Sequence, residues 1–189
     1  MLSANQFGVS QLRPRVILVA LRPNAAQYFS WPKPDTMPPQ SVGPLLLDLM
    51  KTNGWTGADQ WSQVASSIAP TIVGGSKKHG GPDLGPTRAR KAWAELGVNG
   101  ISLANDSPEK DFVGMPRLTV EMVSRIQGFP KEWKFVGKKT RSYRQVGNAF
   151  PPPVAAAVGK QIAAALRAAA RVEKPRATSD GIKGLEADL

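Results

Sequence analysis

Residues 11–21 read Gln11-Leu12-Arg13-Pro14-Arg15-Val16-Ile17-Leu18-Val19-Ala20-Leu21. The second half is a continuous apolar, β-branched run. Such a run predicts a strand over 16–21 that is buried on both faces, in the middle of a sheet. A strand of that kind needs neighbours on both sides, and the 10 residues before Gln11 are too few to supply them, so sheet partners are expected upstream. The first half is polar and basic. Side chains of an extended chain alternate, which puts Arg13 and Arg15 on one side, about 6–7 Å apart. Two guanidinium groups at that spacing suit successive phosphates or a single extruded nucleotide. A solvated strand entry remains the alternative.

Downstream, six prolines (Pro23, Pro32, Pro34, Pro38, Pro39 and Pro44) argue for an extended connection over 22–44. Short helices are predicted over 45–51, ended by Asn53-Gly54, and over 59–67. Residues 70–86 hold five Gly and three Pro, which makes them a loop able to bring backbone amides close to a ligand. Thr87 is the expected N-cap of a helix reaching Leu96 and stopped by Gly97, and a short strand is expected over 98–103. In 117–129, Thr119 caps a helix whose Met122, Val123 and Ile126 share a face and which Gly128 ends. Residues 131–146 are basic and aromatic. Pro151 to Pro153 then open a long helix with an apolar stripe at Val154, Val158, Ile162 and Leu166. The tail from Pro175 is polar and expected to fray.

Composition narrows the function. The 189 residues carry 25 Lys+Arg against 14 Asp+Glu, a net charge of +11, with no cysteine and one histidine, His79. Without Cys there is no disulfide, no thiolate metal site and no thiol nucleophile within these residues. One His excludes a His-rich metal cluster, so no metal site is expected. The hydrophobic fraction of 41% is enough for a packed core. No apolar run is long enough to span a membrane, and the first 15 residues lack a signal-peptide core. A soluble, cytoplasmic protein with an anionic partner is expected, and nucleic acid is the first candidate.

Two further constellations stand out. Thr71-Ile72-Val73-Gly74-Gly75-Ser76-Lys77-Lys78-His79-Gly80-Gly81 combines glycine amides with lysine ammonium groups, the ingredients of a phosphate cradle. It does not match a Walker A loop, and a plain surface loop is the competing reading. Arg144-Gln145-Val146-Gly147-Asn148-Ala149-Phe150-Pro151-Pro152 marks a turn at a helix N-terminus, where free amides favour an anion.

In this order, the segments resemble one family, the DNA (cytosine-5) methyltransferases. NQFGVSQLRPRVILVALR is similar to the family's Gln-x-Arg-x-Arg motif and following strand. RLTVEMVSRIQGFPKEW resembles its Gln-Gly-Phe-Pro motif, and SYRQVGNAFPPPVAAAVGKQI its last motif. Residues 24–115 fill the slot of the variable target-recognition region, and Thr71-Ile72 resembles a Thr-Ile/Leu dipeptide found there. The resemblance spans 5 to about 166. The family's Phe-x-Gly-x-Gly, Pro-Cys and Glu-Asn-Val motifs precede the first of these segments, and none occurs here.

The resemblance implies an α/β fold class. A strand segment of the catalytic domain would occupy 1–23 and a target-recognition domain 24–146. A closing helix would occupy 147–172, and a flexible tail 173–189. It implies duplex DNA as partner, S-adenosyl-L-methionine as cofactor, and an N-terminal methyltransferase half carrying the cysteine. In the family that cysteine attacks C6 of a cytosine rotated out of the duplex, and C5 takes the methyl group. Arg15 corresponds to the arginine approaching the flipped cytosine, Arg13 to one holding backbone phosphate, and Gln11 to a bracing glutamine. Thr71 and Ile72 lie near the target nucleotide, and Asn148 and Ala149 where the cofactor pocket closes. Lys77, Lys78, Arg88, Arg90 and Lys91 are candidate DNA contacts by composition alone. A non-catalytic DNA-binding remnant is the alternative function, and a basic scaffold or RNA-binding protein unrelated to methylation a third.

Overall fold

A computed structural model describes residues 1–73 and 81–173. Its architecture is mixed, with a small sheet and predominating helices. Strand β1 (Leu2–Ser3) pairs antiparallel with β2 (Pro14–Arg15), Leu2 opposite Arg15 and Ser3 opposite Pro14. A 3₁₀ turn over Ala4–Phe7 separates them. Helices follow at α1 (Pro23–Ala26), α2 (Val42–Met50), α3 (Ala58–Val64), α4 (Thr87–Ala94), α5 (Val120–Ile126), α6 (Lys139–Asn148) and α7 (Pro152–Glu173).

The larger apolar cluster runs from Val42 to Val146 and draws on α2 to α6. Within it, Leu46 and Met50 of α2, Trp93 of α4 and Met122, Val123 and Ile126 of α5 are fully buried. A second cluster holds Ala4, Phe7, Val9 and Val154, so the amino-terminal turn packs on the start of α7. Gly128 links the two regions. Its φ of +84° ends α5, and a Cβ there would lie 2.8 Å from Cδ of Pro153.

Helices α2 and α3 meet closely because position 43 is glycine. A Cβ on Gly43 would sit 2.0 Å from the backbone oxygen of Ser62. This approach lets the first amides of α2, which have no intrahelical partner, find acceptors after α3. Val42 donates to Ser67 O at 2.9 Å and Gly43 to Ala65 O at 2.8 Å. A surface ion pair joins α2 to α5, with Arg125 Nη1 2.5 Å from Asp48 Oδ1.

Several sequence expectations change. Residues 16–21 form no strand among the described residues, and their faces alternate between exposed and half-buried. Val16 is 86% exposed and Leu18 92%. Nothing described in the chain pairs with this run, so the ladder stops at Arg15. The α/β sheet is therefore reduced to the β1–β2 pair. The 98–103 strand is also absent. There Val98 and Leu103 are buried in the larger core, with Val98 N bonded to Trp93 O of α4 at 3.0 Å and Leu103 N to Pro82 O at 2.8 Å. Helix α4 is capped by Pro86 rather than Thr87. The proline-rich connection carries one helical turn, α1, which lies against α7. On α7 the buried line is Val154, Val158, Ala165 and Ala169, while Leu166 is half exposed. A line of residues strictly four apart drifts off a helix of 3.6 residues per turn. The Thr119 cap forms as expected, its hydroxyl accepting Met122 N at 3.2 Å. The 173–189 tail lies outside the described residues beyond Glu173.

Gly43→Ala is expected to cost about 1–3 kcal/mol by overpacking against rigid backbone, read as a lower urea midpoint of the 189-residue chain. The Asp48 tie should be pH-dependent. The hydrogen bond from Arg125 holds the Asp48 carboxyl below its ordinary value of 3.8. Its stabilisation is therefore present above that value and lost as pH falls below it through the native value. The stability gap between the parent and Asp48→Asn should accordingly be visible at pH 6 and close below pH 3.8.

Candidate functional site

The amino-terminal and glycine-rich motif segments are zipped together by backbone bonds. Leu12 N donates to Ala69 O at 2.8 Å and Ala69 N to Ser10 O at 2.9 Å. The Thr71 hydroxyl adds a bond to Leu12 O. Alternation along 11–13 then turns Gln11 and Arg13 inward and Leu12 outward, as the strand-like spacing requires. Gln11 is fully buried and Arg13 is 3% exposed.

Both side chains are spent on other segments. Gln11 Oε1 accepts Ile72 N at 2.7 Å, and Gln11 Nε2 donates to Gln127 Oε1. Arg13 Nη1 donates to Ile72 O, and Nη2 to Gly147 O at 2.7 Å and, less directly, to Ala149 O at 3.4 Å. Gln127 closes the circuit, its Nε2 donating to Ala149 O at 2.9 Å and Val146 O at 3.2 Å. Tyr143 of α6 secures the continuation of the loop, donating to Val73 O at 2.7 Å. One polar knot thus joins the 11–13 segment, the 69–73 segment, the end of α5 and the end of α6.

The electrostatics follow from this packing. Burial, helped by the neighbouring Arg15, lowers the Arg13 guanidinium to about 10, and it stays charged at neutral pH. Carbonyl oxygens of Ile72 and Gly147 supply the partial negative charge it requires. Burial and then the charge of Asp83 push the Tyr143 hydroxyl up, which keeps it a neutral donor.

These positions alter the expectations for single residues. Arg13 is enclosed and faces carbonyls, so in this arrangement it is a brace and does not present itself to a phosphate. Ile72 is 1% exposed and takes part through its backbone, while Thr71 is half-buried. Arg15 sits one step beyond the knot, half-buried, with a bond to Pro14 O at 2.8 Å. Gly147 and Asn148 are the last residues of α6, not a turn; the break comes at Ala149, in extended conformation. Asn148 is exposed and Ala149 half-buried. On α4, Arg88 and Lys91 are exposed and Arg90 half-buried, well separated in sequence from the knot. Lys77, Lys78 and His79 lie outside the described residues. Among the described residues, no group of acidic or imidazole side chains is arranged to hold a metal, and no helix is long and apolar enough to cross a membrane.

Sequence reasoning assigned no role to Gln127 or Tyr143. Gln127 lay in a quoted motif, but a glutamine just before a helix-ending glycine carries no sign of burial.

The motif segments that converge here are those of a nucleic-acid-modifying enzyme family, and comparison agrees. The family model for C-5 cytosine-specific DNA methylase matches residues 1–164, and the chain belongs to that family. It is 59% identical over 170 residues to the Type II methyltransferase M.NaeI of Lentzea aerocolonigenes, covering 88% of this chain and 41% of that protein. It is 50% identical over 170 residues to the Type II methyltransferase M.NgoMIV of Neisseria gonorrhoeae, covering 88% and 54%. The Type II methyltransferase M.Eco47II of Escherichia coli is 29% identical over 189 residues, covering 85% and 44%. The chain thus spans roughly half the length of these relatives.

Gln127→Ala strips Gln11 Nε2 of its acceptor and takes one donor from each of the Val146 and Ala149 carbonyls, which keep Ala149 N and Arg13 Nη2. The expected loss is about 1–3 kcal/mol, the cost of one stranded buried group. It would be measured as the shift in urea unfolding of the chain.

Proposed function

We propose that these residues form the target-recognising, C-terminal portion of a DNA (cytosine-5) methyltransferase. They bind duplex DNA and hold a rotated-out cytosine beside Arg15. The cysteine and most of the cofactor pocket come from residues outside these 189, on the same polypeptide or on a second one. The observation that carries this reading is the knot. It fixes the Arg15 arm, the Thr71-Ile72 segment and the Asn148 end of α6 in one place.

Arg15 is the cation able to reach a base, because Arg13 beside it is committed to carbonyls. Arg88 and Lys91 offer exposed donors for phosphate or guanine. When bound, S-adenosyl-L-methionine supplies the methyl group. The chain fits it at one corner, where Asn148 presents an exposed amide able both to donate and to accept. Ala149 brings no polar side chain, and its carbonyl is turned into the knot. The exposed run 16–21 supports a docking partner over a free-standing remnant. Val16 and Leu18 give an apolar edge without a described strand beside it, and such edges pair readily.

The test joins this chain to the coding sequence upstream of Met1, expressed together, with transfer of labelled methyl groups to duplex DNA as the readout. Transfer is expected. Its absence with every upstream segment would leave only a DNA-binding remnant. In the active assembly, Arg15→Ala should lower turnover on the order of 100-fold, as for loss of one positioned donor, with duplex affinity changing far less. Equal losses in both would assign Arg15 to phosphate instead.

A further inference from the structure

A second cationic surface lies away from the knot. The fourteen residues 131–144 contain Lys131, Lys134, Lys138, Lys139, Arg141 and Arg144 against a single acid, Glu132. Lys131, Lys134, Lys138 and Arg141 are exposed, and none forms an ion pair among the described residues. Trp133 stands among them, 58% exposed, with Val136 at 80%.

The segment bearing them is held in place from below. Phe129 packs edge-on to Phe135 with centroids 4.9 Å apart, and on Trp133 at 5.7 Å. Phe129 and Phe135 rest in turn on the larger core. From α6, Ser142 donates to Gly137 O at 3.0 Å and Gln145 to Val136 O at 2.8 Å. Lys139 is drawn inward to Leu103 O at 2.9 Å. The free cations are therefore displayed on an anchored support. Lys131 and Lys134 also line a cleft of about 1480 Å³, whose four basic and four acidic lining residues balance. The cleft as a whole therefore gives an anion no advantage, whereas the exposed 131–141 surface is basic.

We infer that Lys131, Lys134, Lys138 and Arg141, with Trp133 between them, form a second DNA-backbone contact that grips duplex flanking the modified base. This rests on the duplex-binding reading above. Helix α6 connects the two places, with Lys138 before its first residue and Asn148 at its last. Ten residues at about 1.5 Å each separate them by roughly 15 Å along the axis. That corresponds to about four base pairs at roughly 3.4 Å per step. The partner is the sugar–phosphate backbone, read without regard to sequence, with the indole lying against deoxyribose.

The experiment uses the 189-residue chain and a duplex of about 30 base pairs, titrated across salt concentrations. Lys131→Gln, Lys134→Gln, Lys138→Gln and Arg141→Gln are combined in one variant, and its thermal midpoint is compared with the parent's. The log–log salt slope should become shallower by about 0.9 for each phosphate contact removed, or about 3.6 if all four cations touch phosphate. In parallel, amine acetylation of the unaltered chain should fall several-fold at Lys131, Lys134 and Lys138 when duplex is bound, while exposed Lys160 on α7 is unaffected. An unchanged slope, or equal labelling with and without duplex, overturns the inference and leaves the duplex-binding reading intact. A preference for single strand over duplex, abolished by Trp133→Ala, overturns it in favour of base stacking. No duplex affinity in the unaltered chain overturns the reading on which it rests.

Discussion

The Arg13 guanidinium is the constraint around which the rest is arranged. A buried cation must find hydrogen-bond acceptors, and here they are main-chain carbonyls of Ile72 and Gly147, 59 and 134 residues away in sequence. Gln11 and Gln127 complete the enclosure by linking to each other and to the same two segments. Each partner left unmade would strand a buried polar group, so the four segments are held as a set. The apolar clusters on either side then have a fixed relation through the knot and through the Gly128–Pro153 approach.

Much of this was legible in the chain. The caps and stops of α5, the glycine after α4 and the proline start of α7 follow local rules, and they formed within a residue or two. The knot was legible in part. Alternation placed Arg13 and Arg15 on one side, but nothing local indicates that Arg13 turns inward, because burial depends on what arrives from residue 72 and residue 147. Gln127 was invisible for the same reason. The 16–21 run shows the converse error. Its composition calls for a sheet interior, but a strand is defined by its neighbours, and the described residues offer none. Likewise Gly147-Asn148 has the composition of a turn, yet burial of Tyr143 and Val146 carries α6 through it.

Net charge pointed to an anionic partner without giving it a location. The 25 basic residues fall into different physical roles once folded. Arg13 is structural, Arg125 ties α2 to α5 through Asp48, and Lys139 is bound to a carbonyl. Those left facing solvent include Arg88 and Lys91 on α4, Lys160 and Arg167 on α7, and the anchored 131–141 surface. Counting charges therefore overstates the number available to an anion, and burial and pairing decide which remain.

The knot holds Ile72 by its amide and its carbonyl, and it holds the α6 end by carbonyls alone. Those groups are common to every residue except proline, which lacks the amide. An anchor of this type is indifferent to the side chains it carries. The bonds of the knot therefore say where the main chain runs at residues 72 and 147, while the side chains there answer to packing alone, Ile72 to the larger core at 1% exposure. A frame built from main-chain groups thus divides the labour, with hydrogen bonds setting position and the apolar clusters setting residue type.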